Sequence, residues 1–240
     1  MLKWIDVDRE LTSCLRNMGA VVADDSKGPN KPRNADFWFP ADGVIAEMKC
    51  MSVNYFADGT FQDWLTAAYR RWVTRELAPA GLRTVNLADL PMACYQDVTS
   101  FLRKRVEGSF KAASKQIQAT KISVGRPDAT GLLFLINDGN YGLVPAMLQS
   151  IVARSIDKYS GINCVIHFTA NMPSEVPGID EDLLYWCSWS KSSARPAVDS
   201  SFLARVREAW LAHHATAVGQ SIPKIDGTAR HLLGISYIKR

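Results

Sequence analysis

Two runs of the chain are apolar almost from end to end: LLFLIND at 132–138 and CVIHFTA at 164–170. A strand with one face in water alternates apolar and polar residues, whereas a strand covered on both faces does not. LLFLIND therefore predicts a strand with helices packed on both sides, and CVIHFTA predicts a second buried strand. Between them VPAMLQSIVARSI, at 144–156, reads as a helix, and a longer helix is expected over about 98–123. On that long helix Leu102, Val106, Phe110, Ala113 and Ile117 recur at helical spacing. Helices that alternate with buried strands imply an α/β fold built in layers.

The N-terminal part fits the same plan. Residues 3–18 predict a helix with Trp4, Leu11, Leu15 and Met18 near one face and Gly19 as its stop. AVVA at 20–23 predicts a short strand, and DDSKGPNKPRN after it a polar loop. ADFWF at 35–39 and VIAEMKC at 44–50 flank PADG, a tight-turn sequence, so 35–50 reads as a β-hairpin. FQDWLTAAYRRWVTREL is an amphipathic helix, and APAGLRTVNLADLP breaks it. Within that helix Tyr69-Arg70-Arg71-Trp72 could stack bases and grip phosphates, but aromatics at helical spacing favour a core role. LLYWCSW at 183–189 predicts a last strand, and 200–217 a helix. The expected organisation is one domain over 1–240, with a core of about 1–50 and 98–190. An insertion covers about 51–97, and a C-terminal helical extension about 198–240.

Composition excludes several classes. No window approaches the roughly 18 apolar residues of a membrane span, and the acidic N-terminus lacks the basic start of a secretory signal. Five cysteines, widely spaced and without a C-x-x-C pair, read as reduced packing thiols of a cytoplasmic protein. G-x-S-x-G, P-loop and G-x-G-x-x-G motifs are missing, so acyl transfer, NTP hydrolysis and dinucleotide binding have no support. His167, on an apolar strand, reads as a satisfied core histidine, and His213-His214 lack partners at metal-ligand spacing. The net charge of +4 is mild, but residues 103–126 carry Arg103, Lys104, Arg105, Lys111, Lys115, Lys121 and Arg126 against Glu107. That segment suits contact with phosphates, or a solvated helix face.

The hairpin holds charges where a buried strand would refuse them: Asp36, Glu47 and Lys49. Side chains alternate along a strand, so Glu47 and Lys49 share a face while Val44, Ala46 and Met48 take the other. Asp36 lies across the turn on the neighbouring strand. Two carboxylates and an ammonium can therefore converge, and a hard divalent cation with oxygen ligands would relieve the repulsion between the carboxylates. The Met48 carbonyl could supply a further oxygen. The plain alternative is a solvent-facing cross-strand charge group.

Asp36, ten intervening residues, then Glu47-Met48-Lys49 after a β-turn resembles the signature of the PD-(D/E)XK nucleases, the restriction-endonuclease-like superfamily. The resemblance covers roughly residues 3–170, with 51–98 as an insertion. It implies a core of a helix, a three-stranded meander, a helix and a strand, with a mixed central sheet flanked by helices. It implies that Asp36 and Glu47 bind Mg²⁺ or Mn²⁺ and that Lys49 assists the attacking water. An acid of the first helix is expected at the site, with Glu10 the best match and Asp6 and Asp8 its competitors. Gln116 matches the Gln or Lys of the helix after the meander. Arg103, Lys104, Arg105, Lys111, Lys115 and Lys121 are the expected nucleic-acid contacts. Ala35 stands where the family name has proline, and Thr120 stands where RecB-like members have tyrosine. The implied activity is phosphodiester hydrolysis, in DNA rather than RNA. The alternative is a catalytically inactive nucleic-acid-binding or protein-assembly subunit on the same fold, and a homodimer or protein partner is open to either.

Overall fold

A computed structural model of the chain describes residues 4–23, 34–81, 90–176, 178–193, 196–220 and 235–237. The polar loop expected after Ala23, except Asn34, the middle of the predicted helix-breaking stretch and most of the C-terminal tail lie outside the described residues.

Helix α1 (Val7–Asn17) begins where the Asp6 carboxylate accepts the Arg9 N–H at 3.1 Å, an N-cap that satisfies a donor the helix cannot. Strands β1 (Val21–Val22), β2 (Phe37–Phe39) and β3 (Val44–Met51) form an antiparallel meander. Helix α2 (Gly59–Thr74) is capped by Asp58, and α3 (Met92–Ser123) runs 32 residues from Pro91. Strand β4 (Thr130–Asn137), helix α4 (Pro145–Ser155) and strand β5 (Cys164–Thr169) follow. Strands β6 (Ser174–Val176), β7 (Ile179–Leu183) and β8 (Trp186–Ser190) come next, then α5 (Ser200–Val218) and β9 (Ser236–Tyr237).

The main sheet has six strands in the order β1-β2-β3-β4-β5-β8. β3, β4 and β5 are parallel, and the outer strands run antiparallel to their neighbours. β4 and β5 are buried along their whole length, as their unbroken apolar runs require. One sheet face, carrying Phe37, Val44, Ala46, Leu132 and Phe134, packs against α1 and α5. The other, carrying Ile45, Leu133, Leu135 and Val165, packs against α2, α3 and α4. The result is an α/β protein with a mixed sheet between two helical layers. No described helix is long and apolar enough to cross a membrane.

Within the expected insertion at 51–97, Phe61, Ala68 and Trp72 of α2 sit in the same apolar cluster as the α3 stripe. The Trp72 indole N–H donates to Asp97 at 2.9 Å, and the Tyr69 hydroxyl to the Pro79 carbonyl, so both serve the core. The C-terminal part is not helical throughout. α5 ends at Gly219 in the left-handed conformation (φ 75°), and β9 joins β6 and β7 in a separate three-stranded antiparallel sheet. β8 begins three residues later than the run LLYWCSW suggests, and α3 begins six residues before the expected boundary.

A tight contact sets the height of α3 over the sheet. A Cβ on Gly131 would lie 1.8 Å from the Gly161 carbonyl oxygen, and one on Gly161 would lie 2.5 Å from the Ser114 carbonyl oxygen. The Gly161 N–H donates to Ser114 Oγ at 3.1 Å. Helix, turn and strand thus meet backbone to backbone, two residues from Gln116. Gly131→Ala is expected to cost at least about 3 kcal/mol, read by urea denaturation, since only main chain can yield there. A loss under about 1 kcal/mol would show that the turn at Gly161 relaxes.

Candidate active site

The ladder between β2 and β3 pairs Phe39 with Val44 and Phe37 with Ala46. Continued by one step, it sets Asp36 directly opposite Glu47, on the face turned toward α3. Like charges directly opposite in an antiparallel pair repel at Cβ separations of about 5 Å. In place of the missing ladder bonds the two acids bond across the gap. Glu47 Oε2 accepts the Asp36 N–H at 3.2 Å, and Asp36 Oδ2 accepts the Met48 N–H at 2.7 Å. In an extended strand the N–H and C=O of one residue point to the same edge. The Met48 carbonyl is thus directed to the edge where Asp36 lies.

Lys49 projects to the same face as Glu47. Its ammonium pairs with Glu47 Oε1 and donates to Gln116 Oε1 at 3.1 Å. Gln116 in turn donates to the Asn34 carbonyl at 3.3 Å. One turn further along α3, Thr120 Oγ accepts the Ala35 N–H at 2.7 Å. Helix α3 therefore holds both the ammonium and the main chain just before Asp36. Asn34 and Thr120 are positioning residues that the motif alone does not reveal. Their signal lay in α3, where Gln116 and Thr120 are polar residues four apart beside an apolar stripe.

The cluster is no solvent-facing charge group: the Glu47 side chain is 1% exposed and that of Lys49 27%. Burial, together with the Asp36 carboxylate, pushes the Glu47 carboxyl up to about 7, although the Lys49 ammonium pulls the other way. Asp36, Glu47 and the Met48 carbonyl are hard oxygen donors, the ligand type that Mg²⁺ and Mn²⁺ prefer. Among the described residues no group of three His, Cys, Asp or Glu side chains gathers to hold a metal.

Glu10 is not brought to this cluster. α1 packs on the opposite face of the sheet, and Glu10 bonds there with His213 Nε2 at 2.9 Å and Arg9 at 2.8 Å, which lower its pKa. Asp6 is spent as the cap of α1, and Asp8 acts on Asp138 and Cys50.

The basic residues of α3 divide into two groups. Lys104, Lys111 and Lys115 are exposed and, at about 3.6 residues per turn, fall on one stripe opposite the core. Among the described residues they have no acidic partner. Arg105 is tied to Asp58, and its guanidinium lies 5.5 Å from the ring centres of Tyr55 and Phe101, so it straps α3 to the turn before α2. Arg103 lies 3.6 Å from Glu107, which also binds Lys158 at 2.7 Å. Lys121 is half-buried, and burial lowers its pKa. Arg105 and Arg103 are thus held in ion pairs within the fold.

Compared with known proteins, the sequence matches no family model, and no curated protein or solved structure matches it.

Proposed function

We propose that the protein is a divalent-metal-dependent nuclease of the PD-(D/E)XK type that hydrolyses phosphodiester bonds in DNA. The observation that carries this reading is the meeting of Asp36 and Glu47, with Lys49 and Gln116 on the same patch. The order of helix, meander, helix and parallel strand supports it. Asp36, Glu47 and the Met48 carbonyl would hold Mg²⁺ or Mn²⁺, which would supply charge for the developing phosphorane and a polarised water. The Lys49 ammonium orients that water and offsets charge building on the phosphate. Gln116 fixes the ammonium by accepting one of its protons in a hydrogen bond. Lys104, Lys111 and Lys115 present a line of cations to the nucleic-acid backbone.

A second reading has one observation in its favour. Glu47 is almost fully buried, and the Lys49 ammonium already occupies one of its oxygens. A subunit that binds nucleic acid or a protein partner without cutting would tolerate that closure. Purified protein is expected to degrade linear and circular DNA with Mg²⁺ or Mn²⁺ and to stop on addition of EDTA. Retained DNA binding with neither cleavage nor Asp36-dependent Mn²⁺ binding would favour the second reading. Loss of all three would sink the nuclease reading and leave only a protein-assembly subunit.

A further inference from the structure

The main sheet ends at β8, whose one neighbour in the sheet is β5. The inner side of β8 is closed. The Thr169 N–H donates to the Tyr185 carbonyl at 3.0 Å, and the Lys191 N–H donates to the Asn163 carbonyl at 2.9 Å. The odd-numbered residues of β8 therefore turn their main chain toward β5. Among them Cys187 lies opposite His167, which is buried as a core residue although its Nε2 finds no hydrogen-bond partner. By alternation, the N–H and C=O of Trp186, Ser188 and Ser190 point away from the sheet. Among the described residues no main-chain group bonds to them, and Ser188 and Ser190 are exposed.

Such an edge is a template for another strand, and folded proteins commonly blunt it with a charge, a proline, a bulge or a covering segment. The strand WCSWS has neither charge nor proline, and its register with β5 runs unbroken from Trp186 to Ser190. The next cation along the chain, Lys191, is tied back to the Asp157 carbonyl at 3.1 Å. β1, at the other end of the sheet, is two residues long and offers no comparable row.

The side chains decide what fits this edge. Trp186 is anchored on one face of the sheet, stacked on Phe168 with ring centres 4.9 Å apart. Trp189 packs on the other face, against the core beneath α3 and α4. Antiparallel pairing of β8 with a second copy of itself, centred on Ser188, sets Trp186 opposite Ser190 and Cys187 opposite Trp189. Each face then matches a large side chain with a small one, and no like charges meet. That register forms about six main-chain hydrogen bonds, two for each outward-facing pair, whereas centring on Cys187 or Trp189 forms about four. We propose that β8 is a self-association edge, through which two copies of the chain pair antiparallel about a twofold axis at Ser188. The ladder is short, so the dimer belongs with weak interfaces and should form at roughly tens of micromolar chain. The edge is separated from the Asp36–Glu47 patch by β4 and β5, and its pairing is independent of the proposed nuclease activity.

Sedimentation of the full chain between about 1 and 300 µM tests the pairing, and the parent should pass from monomer to dimer over that range. Ser188→Lys places two like charges face to face across the axis and should weaken the dimer at least about tenfold, as should Ser188→Glu. Neither should shift the melting temperature of the dilute monomer, because Ser188 is exposed. An equimolar mixture of the two variants should recover a heterodimer, since the axis brings residue 188 of each chain to that of the other. A parent that stays monomeric throughout would leave the edge to a strand of another protein and overturn the self-pairing. A dimer indifferent to Ser188→Lys, or a mixture of the two variants that stays monomeric, would equally overturn an axis at Ser188.

Discussion

Lys49→Met is expected to lower DNA hydrolysis at saturating Mn²⁺ by about a thousandfold, the scale seen when one group aimed at developing charge is removed. Methionine keeps the apolar stem that passes Glu47 and deletes only the ammonium. Packing therefore changes little, and the variant should unfold cooperatively like the parent. Its metal site should survive, since Asp36, Glu47 and the Met48 carbonyl remain in place. The combination to look for is lost turnover with retained Mn²⁺ binding. Gln116→Ala should lose less, because that residue acts through the lysine it holds at 3.1 Å. Its deficit should also shrink toward nothing in the Lys49→Met background, as expected of two residues working as one unit. Turnover of Lys49→Met within about tenfold of the parent, at saturating metal, would remove the role assigned to the ammonium.

Much of this site was legible in the sequence because strand chemistry is local. A period of two fixes Glu47 and Lys49 on one face, and a short turn returns Asp36 to them; no knowledge of distant contacts is needed. Gln116 was legible for a related reason, since its position at the border of the α3 stripe directs it toward whatever the stripe covers. Glu10 was misplaced because a helix pattern tells which residues are buried but not which face of the sheet they are buried against. α1 took the face of Phe37 and Ala46, and Glu10 went with it to His213. The cations of α3 were over-assigned for the same reason. Charge alone cannot separate Lys111, which faces water, from Arg105, whose partner Asp58 is 47 residues away in sequence. β6, β7 and β9 escaped because they are short, and IDEDL has none of the β-branched and aromatic density that marks a buried strand.

The pairing of Asp36 with Glu47 has a pH signature that does not depend on DNA. The Glu47 carboxyl titrates near 7 in the folded chain and near its ordinary 4.5 when unfolded. Between those values the folded state holds a proton that the unfolded state has lost, so metal-free stability must fall as pH rises from about 4.5 to 7 and level off above. The full loss is on the order of 3 kcal/mol, at 1.36 kcal/mol per unit. Glu47→Gln cannot titrate, and its melting temperature should lack that decline. A divalent cation on the two carboxylates replaces the proton, so Mn²⁺ should restore the parent's stability at pH 8 and do little at pH 5. Its apparent affinity should weaken by about tenfold for each pH unit below 7, as expected when one proton competes for the site. Scanning calorimetry across pH 5–8, with and without Mn²⁺, separates these cases. A parent whose melting temperature is flat across that range, or a Mn²⁺ effect that survives Glu47→Gln unchanged, would show that the two carboxylates do not share a site for positive charge.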